Sequence, residues 1–120
     1  MTEEYTASKP IYVQIADRIV REIVRKELRP GEKLPSVREM AIQSGVNPNT
    51  IQRTYSELER MEIVETRRGQ GTFVTENQEM LSVMNEKVQR EIVEQFIRNM
   101  KELGFSKNQM IESLEKFQDE

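Results

Sequence analysis

The chain has 120 residues, 36% hydrophobic and 32% charged, with a formal net charge of −3. It contains no cysteine and no histidine, which excludes disulfides, thiolate zinc sites, thiol nucleophiles and imidazole bases, and leaves any catalysis to carboxylates, Lys, Ser, Thr and Tyr. With neither a run of about 18 apolar residues nor an apolar leader, a soluble cytoplasmic protein is expected, not an enzyme, with no metal or cofactor.

Charge is unevenly spread. Residues 1–75 carry 12 Lys/Arg against 11 Asp/Glu, a net of +1, whereas residues 76–120 carry 6 against 10, a net of −4. Acid collects in the last third, so the first part can present basic surfaces to nucleic acid while the whole chain avoids coating it indiscriminately.

Residues 1–9 read as a flexible arm. Lys9-Pro10 opens a helix, since proline in a first turn sacrifices no intrahelical hydrogen bond, and the helix is expected to reach about Leu28. Its main apolar stripe is Ile11, Ile15, Ile19 and Ile23, with Tyr12 and Ala16 beside it. A second set, Val13, Val20 and Val24, fits either one broad buried face or two neighbours. Arg29-Pro30-Gly31 then stops the helix.

Ser36 and Glu39 have capping-box spacing, with Leu34 and Met40 at the staple positions, so a helix begins at Val37. It ends near Ser44-Gly45, and Asn47-Pro48 immediately starts another with Asn as N-cap and Pro at the first helical position. Two short helices joined by so few residues have the form of a helix-turn-helix. On the second, which reaches about Arg60, Ile51, Tyr55 and Leu58 form a packing face. Asn49, Arg53, Ser56 and Arg60 lie opposite, on a polar face without acid. Glu62–Thr66 and Thr72–Val74 then read as two strands of a hairpin with a basic, glycine-containing tip, Arg67-Arg68-Gly69-Gln70-Gly71.

Thr75 and Gln78 suggest another capping box, opening a long helix to about Leu103. Its stripe is Leu81, Met84, Val88, Ile92, Phe96 and Met100, widened by Val83, Val93, Ile97 and Leu103. Gly104 ends it. Ser106 with Gln109, and Phe105 with Met110, start a last helix bearing Ile111, Leu114 and Phe117. A helical hairpin with so wide an apolar face and so little chain to cover it favours a second copy of itself, so a homodimer is expected. Folding of that face back onto the N-terminal domain is the alternative.

The run from Pro10 to Val74 resembles the winged helix-turn-helix domain of GntR-type transcription regulators. The likeness rests on Tyr12-Val13-Gln14-Ile15, on Arg29-Pro30-Gly31-Glu32-Lys33-Leu34-Pro35-Ser36, on Arg38-Glu39, on Val46 to Thr50, and on Gly69-Gln70-Gly71-Thr72-Phe73-Val74. Residues 81–117, broken at Glu102-Leu103-Gly104-Phe105-Ser106, resemble the short two-helix dimerisation segment of the YtrA-like subgroup. The larger effector domains of other subgroups do not fit that length. The fold implied is mainly α with a small β-hairpin wing: an arm over 1–9, a winged helix-turn-helix DNA-binding domain over 10–75, and a two-helix dimerisation and regulatory segment over 76–120.

The resemblance further implies that Arg38 reaches DNA from the first helix of the motif, that Asn47, Asn49, Thr50, Gln52 and Arg53 face it from the second, and that Arg68, Gly69 and Gln70 enter the minor groove. The chemistry of these side chains suits such contacts. Arginine bonds guanine O6 and N7 as a fork, Asn and Gln pair with adenine, and hydroxyls and helix-terminal N–H groups bind phosphate. Pro48 replaces a basic residue found in some relatives, so their half-site preference does not transfer. Structural alternatives are an ion pair of Arg38 with Glu39 or Glu32, and a merely solvated tip for Arg67 and Arg68.

Leu81, Met84, Val88, Ile92, Phe96, Met100, Phe105, Ile111, Leu114 and Phe117 are the dimerisation residues expected. The partners are thus operator DNA, a second copy, and a small-molecule effector that shifts the two heads. Met80, Met84 and Met100 could line the effector's cleft, although plain core packing is the favoured reading of them. The functional expectation is a homodimeric repressor on a palindromic operator. A winged-helix protein-interaction module without operator preference is the alternative.

Overall fold

Helix termini organise the computed structural model, which describes residue 5 and residues 8–118. In order, the elements are α1 (Ile11–Val24), α2 (Val37–Ser44), α3 (Pro48–Arg60), β1 (Val64–Arg67), β2 (Gly71–Val74), α4 (Gln78–Glu102) and α5 (Lys107–Lys116). Among the described residues no helix is long and apolar enough to cross a membrane. The chain divides into two compact units, Met1–Leu81 and Ser82–Glu120.

Four helices end in one device, in which a left-handed residue lets two N–H groups turn back onto the last turn's carbonyls. Two of these residues are Gly45 (φ +69) and Gly104 (φ +84), as the sequence predicts. The other two are Lys26 (φ +65) and Glu62 (φ +63). After α1 the N–H groups of Lys26 and Glu27 donate to Ile23 O and Glu22 O at 3.0 and 2.8 Å. The helix therefore stops at Val24, four residues before the expected Leu28. After α3, Glu62 and Ile63 donate to Glu59 O and Leu58 O at 2.9 and 3.1 Å. That turn consumes the start of the expected first strand, which begins at Val64 and runs on to Arg67 instead.

The hairpin pairs Val64 with Val74 and Arg67 with Gly71. Gly31 to Leu34 lie along its other edge: Leu34 N–H donates to Thr72 O at 2.8 Å, Val74 N–H to Glu32 O at 2.8 Å, and Gly31 N–H to Val74 O at 2.9 Å. By strand alternation one face carries the buried Leu34, Val64 and Val74, and the other carries Lys33, Glu65, Arg67 and Phe73.

The core of the first unit is Ile15, Ile19 and Ile23 of α1, Met40 of α2, Ile51, Tyr55 and Leu58 of α3, and those hairpin residues. Ala16 is also buried, and of the second stripe Val20 is buried while Val13 and Val24 are half-buried, but Ile11 is 43% exposed. The buried hydroxyls of α3 are paired, as burial requires. Thr54 Oγ1 donates toward Thr50 O at 2.9 Å and Tyr12 O at 3.2 Å, and Tyr55 OH donates to Pro35 O at 2.6 Å. Burial pushes the Tyr55 phenol well above its usual range. Within the expected arm, Tyr5 OH donates to Ser44 O at 2.7 Å and Lys9 Nζ pairs with Asp17 at 3.2 Å. The rest of the arm expected to be flexible, residues 1–4, 6 and 7, lies outside the described residues.

Both sides of the α2 capping box are formed: Ser36 Oγ accepts from Glu39 N–H at 3.1 Å, and the Glu39 carboxylate accepts from Ser36 N–H at 2.9 Å. That backbone hydrogen bond, the Ser36 hydroxyl and the charge of Lys33 hold Glu39 below its ordinary pKa. A carboxyl with a depressed folded pKa contributes stability that is present above the unfolded value of about 4.3 and is lost as pH falls through the folded value. Glu39→Gln is therefore expected to lower Tm at neutral pH, with the gap to the wild type closing in acid. Thermal unfolding of both proteins between about pH 7 and pH 2 checks this, and a gap independent of pH would refute it.

At α4 the expected Thr75–Gln78 box is replaced. Asn77 caps the helix, its Oδ1 accepting from Met80 N–H at 3.2 Å, while Thr75 Oγ1 accepts from Asn77 N–H at 3.1 Å. The second box forms as expected, Ser106 Oγ accepting from Gln109 N–H at 3.2 Å and Gln109 Oε1 from Ser106 N–H at 2.8 Å. The last helix ends at Lys116, leaving Phe117 just beyond it in extended conformation.

Candidate nucleic-acid interface

Short capped helices give the first unit its polar surface. Asn47 caps α3, its Oδ1 accepting from Asn49 N–H at 2.8 Å, which commits the amide oxygen but leaves its NH₂ group. Ile51, Thr54, Tyr55 and Leu58 bury one side of α3. Asn49, Gln52, Arg53 and Ser56 are consequently exposed on the other, with Thr50 half-buried at the margin. The outer face keeps the acid-free composition expected of it.

Cations occur on α2, on α3 itself and on the hairpin. Arg38, the second residue of α2, is exposed and has neither a hydrogen bond nor an ion pair among the described residues. Both carboxylates that could have claimed it are engaged: Glu39 in the capping box, and Glu32 by Arg29 N–H at 3.0 Å. Arg53 lies over the Tyr12 ring, 4.1 Å from its centroid. Arg60 instead pairs with Glu57, and that hydrogen bond lowers the pKa of Glu57 and raises that of Arg60.

The two wing arginines separate. Arg67 packs over Phe73 at 4.2 Å and pairs with Glu65 at 3.1 Å, so it braces the hairpin. Arg68 projects at the turn with no such partner among the described residues, beside exposed Gly69 and Gln70. Gln70 N–H donates to Arg67 O at 2.8 Å across the turn, with Gly69 at φ +77, a tight reversal that favours glycine. Lys33 is a cation that sequence reasoning misses. It is exposed, and a Cβ on Gly71 would come within 2.8 Å of its Cε, so the missing side chain lets its stem lie against the wing. The Gly-Gln-Gly spacing is the available signal. The Tyr12–Arg53 stack is missed too, since residues 41 positions apart carry no local sign of meeting.

Of the expected dimerisation residues, Leu81 is buried in the first unit. In the second unit Met84 and Met110 are buried, Val88, Phe96 and Met100 are half-buried, and Ile92, Phe105, Ile111, Leu114 and Phe117 are exposed. Leu103, at 72% exposure, adds to that apolar surface.

Comparison with known proteins agrees with this geometry. The model for bacterial regulatory proteins of the gntR family matches residues 11–74. The uncharacterized HTH-type transcriptional regulator YhcF of Bacillus subtilis is 60% identical over 117 residues, covering 98% of this chain and 97% of that protein. The HTH-type transcriptional repressor YtrA of the same organism is 48% identical over 71 residues, covering 59% of this chain and 55% of YtrA. Among solved structures, a GntR family transcriptional regulator from Listeria monocytogenes superposes with a TM-score of 0.89 at 41% identity, covering 95% of this chain and 100% of that one. The match therefore extends beyond the helix-turn-helix and wing to almost the whole chain, and the chain belongs to the GntR family of bacterial transcription regulators, in its YtrA-like branch.

Proposed function

We propose that the chain is a homodimeric repressor of a palindromic operator, with residues 10–75 as the DNA-binding domain and 76–120 as the dimerisation segment. The observation that carries the reading is that Arg38 of α2 and Arg68 of the hairpin turn are exposed and unengaged among the described residues of an acidic chain, beside the exposed polar side chains of α3. Asn47, Asn49, Thr50, Gln52 and Arg53 would meet base edges and phosphates in the major groove, and Arg68, Gly69 and Gln70 the adjacent minor groove. Repression is supported by the likeness to the transcriptional repressor YtrA, and occupying promoter DNA would achieve it.

Dimerisation is supported by the exposed Ile92, Leu103, Ile111, Leu114 and Phe117, an apolar set that a single chain leaves in water at roughly 25 cal/mol per Å². A dimer would set the distance between two recognition helices. A small-molecule effector that altered their relative orientation would then release fixed half-sites.

Fluorescence anisotropy on the chain's own upstream promoter DNA and on a scrambled duplex tests the reading. The promoter fragment is expected to bind at least about 10³-fold more tightly. Its affinity should fall by about 10³-fold or more between about 50 and 200 mM salt, as roughly 6–10 phosphate contacts require. Sedimentation should give twice the 14.2 kDa chain mass. Equal binding to both duplexes, or a monomer on the operator, would rule it out.

A further inference from the structure

Among the described residues, Arg53 is the only cation on the outer face of the first two turns of α3, and its surroundings hold it in a specific way. Its guanidinium lies 4.1 Å from the centroid of the Tyr12 ring. Tyr12 sits half-buried in the first turn of α1, and its carbonyl oxygen, at 3.2 Å, shares with Thr50 O, at 2.9 Å, the hydroxyl proton of Thr54, the residue next to Arg53. Ring and guanidinium are thus carried by two helices fastened together at the same level. The nearby carboxylate that could draw Arg53 away, Glu57, is held by Arg60 through both oxygens.

Stacking occupies the face of a guanidinium, not its edge. The N–H groups lie in the plane, so an arginine laid on an aromatic ring keeps its fork free while losing the rotational freedom that otherwise opposes a bidentate bond. A lysine at the same position could stack only as a point charge and could not present the fork.

We propose that Tyr12 is a positioning residue for sequence readout: its ring holds the Arg53 guanidinium so that the fork meets one base pair of each half-site, guanine being the base whose O6 and N7 match it. The inference rests on the operator reading above. It adds that a residue of α1, outside the helix-turn-helix, determines discrimination at a base it does not touch.

The test measures affinity of the full chain for the operator and for duplexes in which each base pair is changed symmetrically in both half-sites. The proteins are the wild type, Tyr12→Phe, Tyr12→Leu, Arg53→Lys, Arg53→Gln and Tyr12→Leu/Arg53→Gln, with Tm recorded for each. Tyr12→Phe keeps a ring and should reproduce the wild-type profile. Tyr12→Leu and Arg53→Lys should both lose discrimination at the same base pair, by about 5- to 30-fold for Tyr12→Leu and about 30-fold or more for Arg53→Lys over two half-sites, with the other positions unchanged. Tyr12→Leu should change nothing further in the Arg53→Gln background.

Equal weakening on every duplex, a Tyr12→Leu effect that persists without Arg53, or an unchanged profile would each overturn the inference while leaving operator binding intact. A wild type that does not distinguish its operator from scrambled DNA would instead remove the operator reading, and this inference with it. Should Tyr12→Leu fail to fold, Arg53→Lys together with Tyr12→Phe still decides: no position-specific loss in Arg53→Lys overturns the proposal.

Discussion

Replacing Arg38 with alanine is expected to weaken operator binding by about 30-fold to 10⁴-fold while leaving the fold as stable as before. The first half of that expectation comes from the arithmetic of a dimer. One well-made arginine contact to a guanine is worth about 1–3 kcal/mol, the substitution removes it from two half-sites, and well-separated contacts add, giving about 2–6 kcal/mol. The second half comes from what Arg38 does not touch. It is exposed, and Glu39 and Glu32 are engaged by Ser36 N–H and Arg29 N–H. Alanine also suits a helix interior at least as well as arginine. Anisotropy titration beside thermal unfolding checks both halves. Unchanged affinity would take Arg38 out of the interface, and a drop in Tm would show a structural role. Arg38→Lys separates the two kinds of contact, since a phosphate tolerates lysine whereas the forked bond to guanine does not.

Leu58→Ala should have the largest effect on stability. Leu58 is fully buried on the packing side of α3, and its carbonyl accepts from Ile63 N–H where the chain turns into the hairpin. Truncation removes buried methyl groups at a point where helix and hairpin are covalently close, so the cavity cannot easily collapse. The cost is about 2–5 kcal/mol, a large part of the roughly 5–15 kcal/mol that holds a domain together. At about 4–8 °C per kcal/mol for a small domain, Tm falls by roughly 10–40 °C. Calorimetry or circular dichroism at one fixed protein concentration reads it, because association would shift both proteins with concentration. A shift below about 5 °C would mean that Leu58 does not join helix to hairpin as its burial implies. Operator binding at low temperature should survive, since no polar residue of the outer face is altered.

The residues that announce their structure do so through local chemistry. Ser36 with Glu39, Ser106 with Gln109, and Asn47 with Pro48 each mark a helix start by satisfying or sparing N–H groups within about three residues, so their spacing alone identifies it. Gly45 and Gly104 announce helix ends because glycine takes positive φ freely. The same ending at Lys26 and Glu62 gives no sign. Side chains with a Cβ adopt that conformation only where surrounding structure offsets its cost, so the sequence alone overruns α1 by four residues and starts β1 two residues early. At Thr75 two overlapping caps are available. Asn77, not Thr75, takes the helix because the Thr75 hydroxyl turns to Asn77 N–H while Thr75 is drawn into the wing by its own N–H bond to Ile63 O at 2.9 Å.

The candidate interface divides along the same line. Periodicity alone separates the buried Ile51, Tyr55 and Leu58 from the polar side of α3, because a helix repeats about every 3.6 residues whatever it packs against. Which arginines are engaged is a different kind of fact. Arg67 is held by Glu65 and Phe73, Arg60 by Glu57, and Arg53 lies over the Tyr12 ring, whereas Arg38 and Arg68 stay uncommitted among the described residues. Nothing in the order of amino acids distinguishes these five, since each has an acid or an aromatic within reach along the chain or across it. Most helix starts, the polar side of α3 and the basic tip of the hairpin are thus legible in the sequence, being set by contacts within a turn or two. The partners of each cation, the third edge that Gly31 to Leu34 lend the hairpin, and the Tyr12 platform depend on groups brought together from distant parts of the chain, and only folding places them.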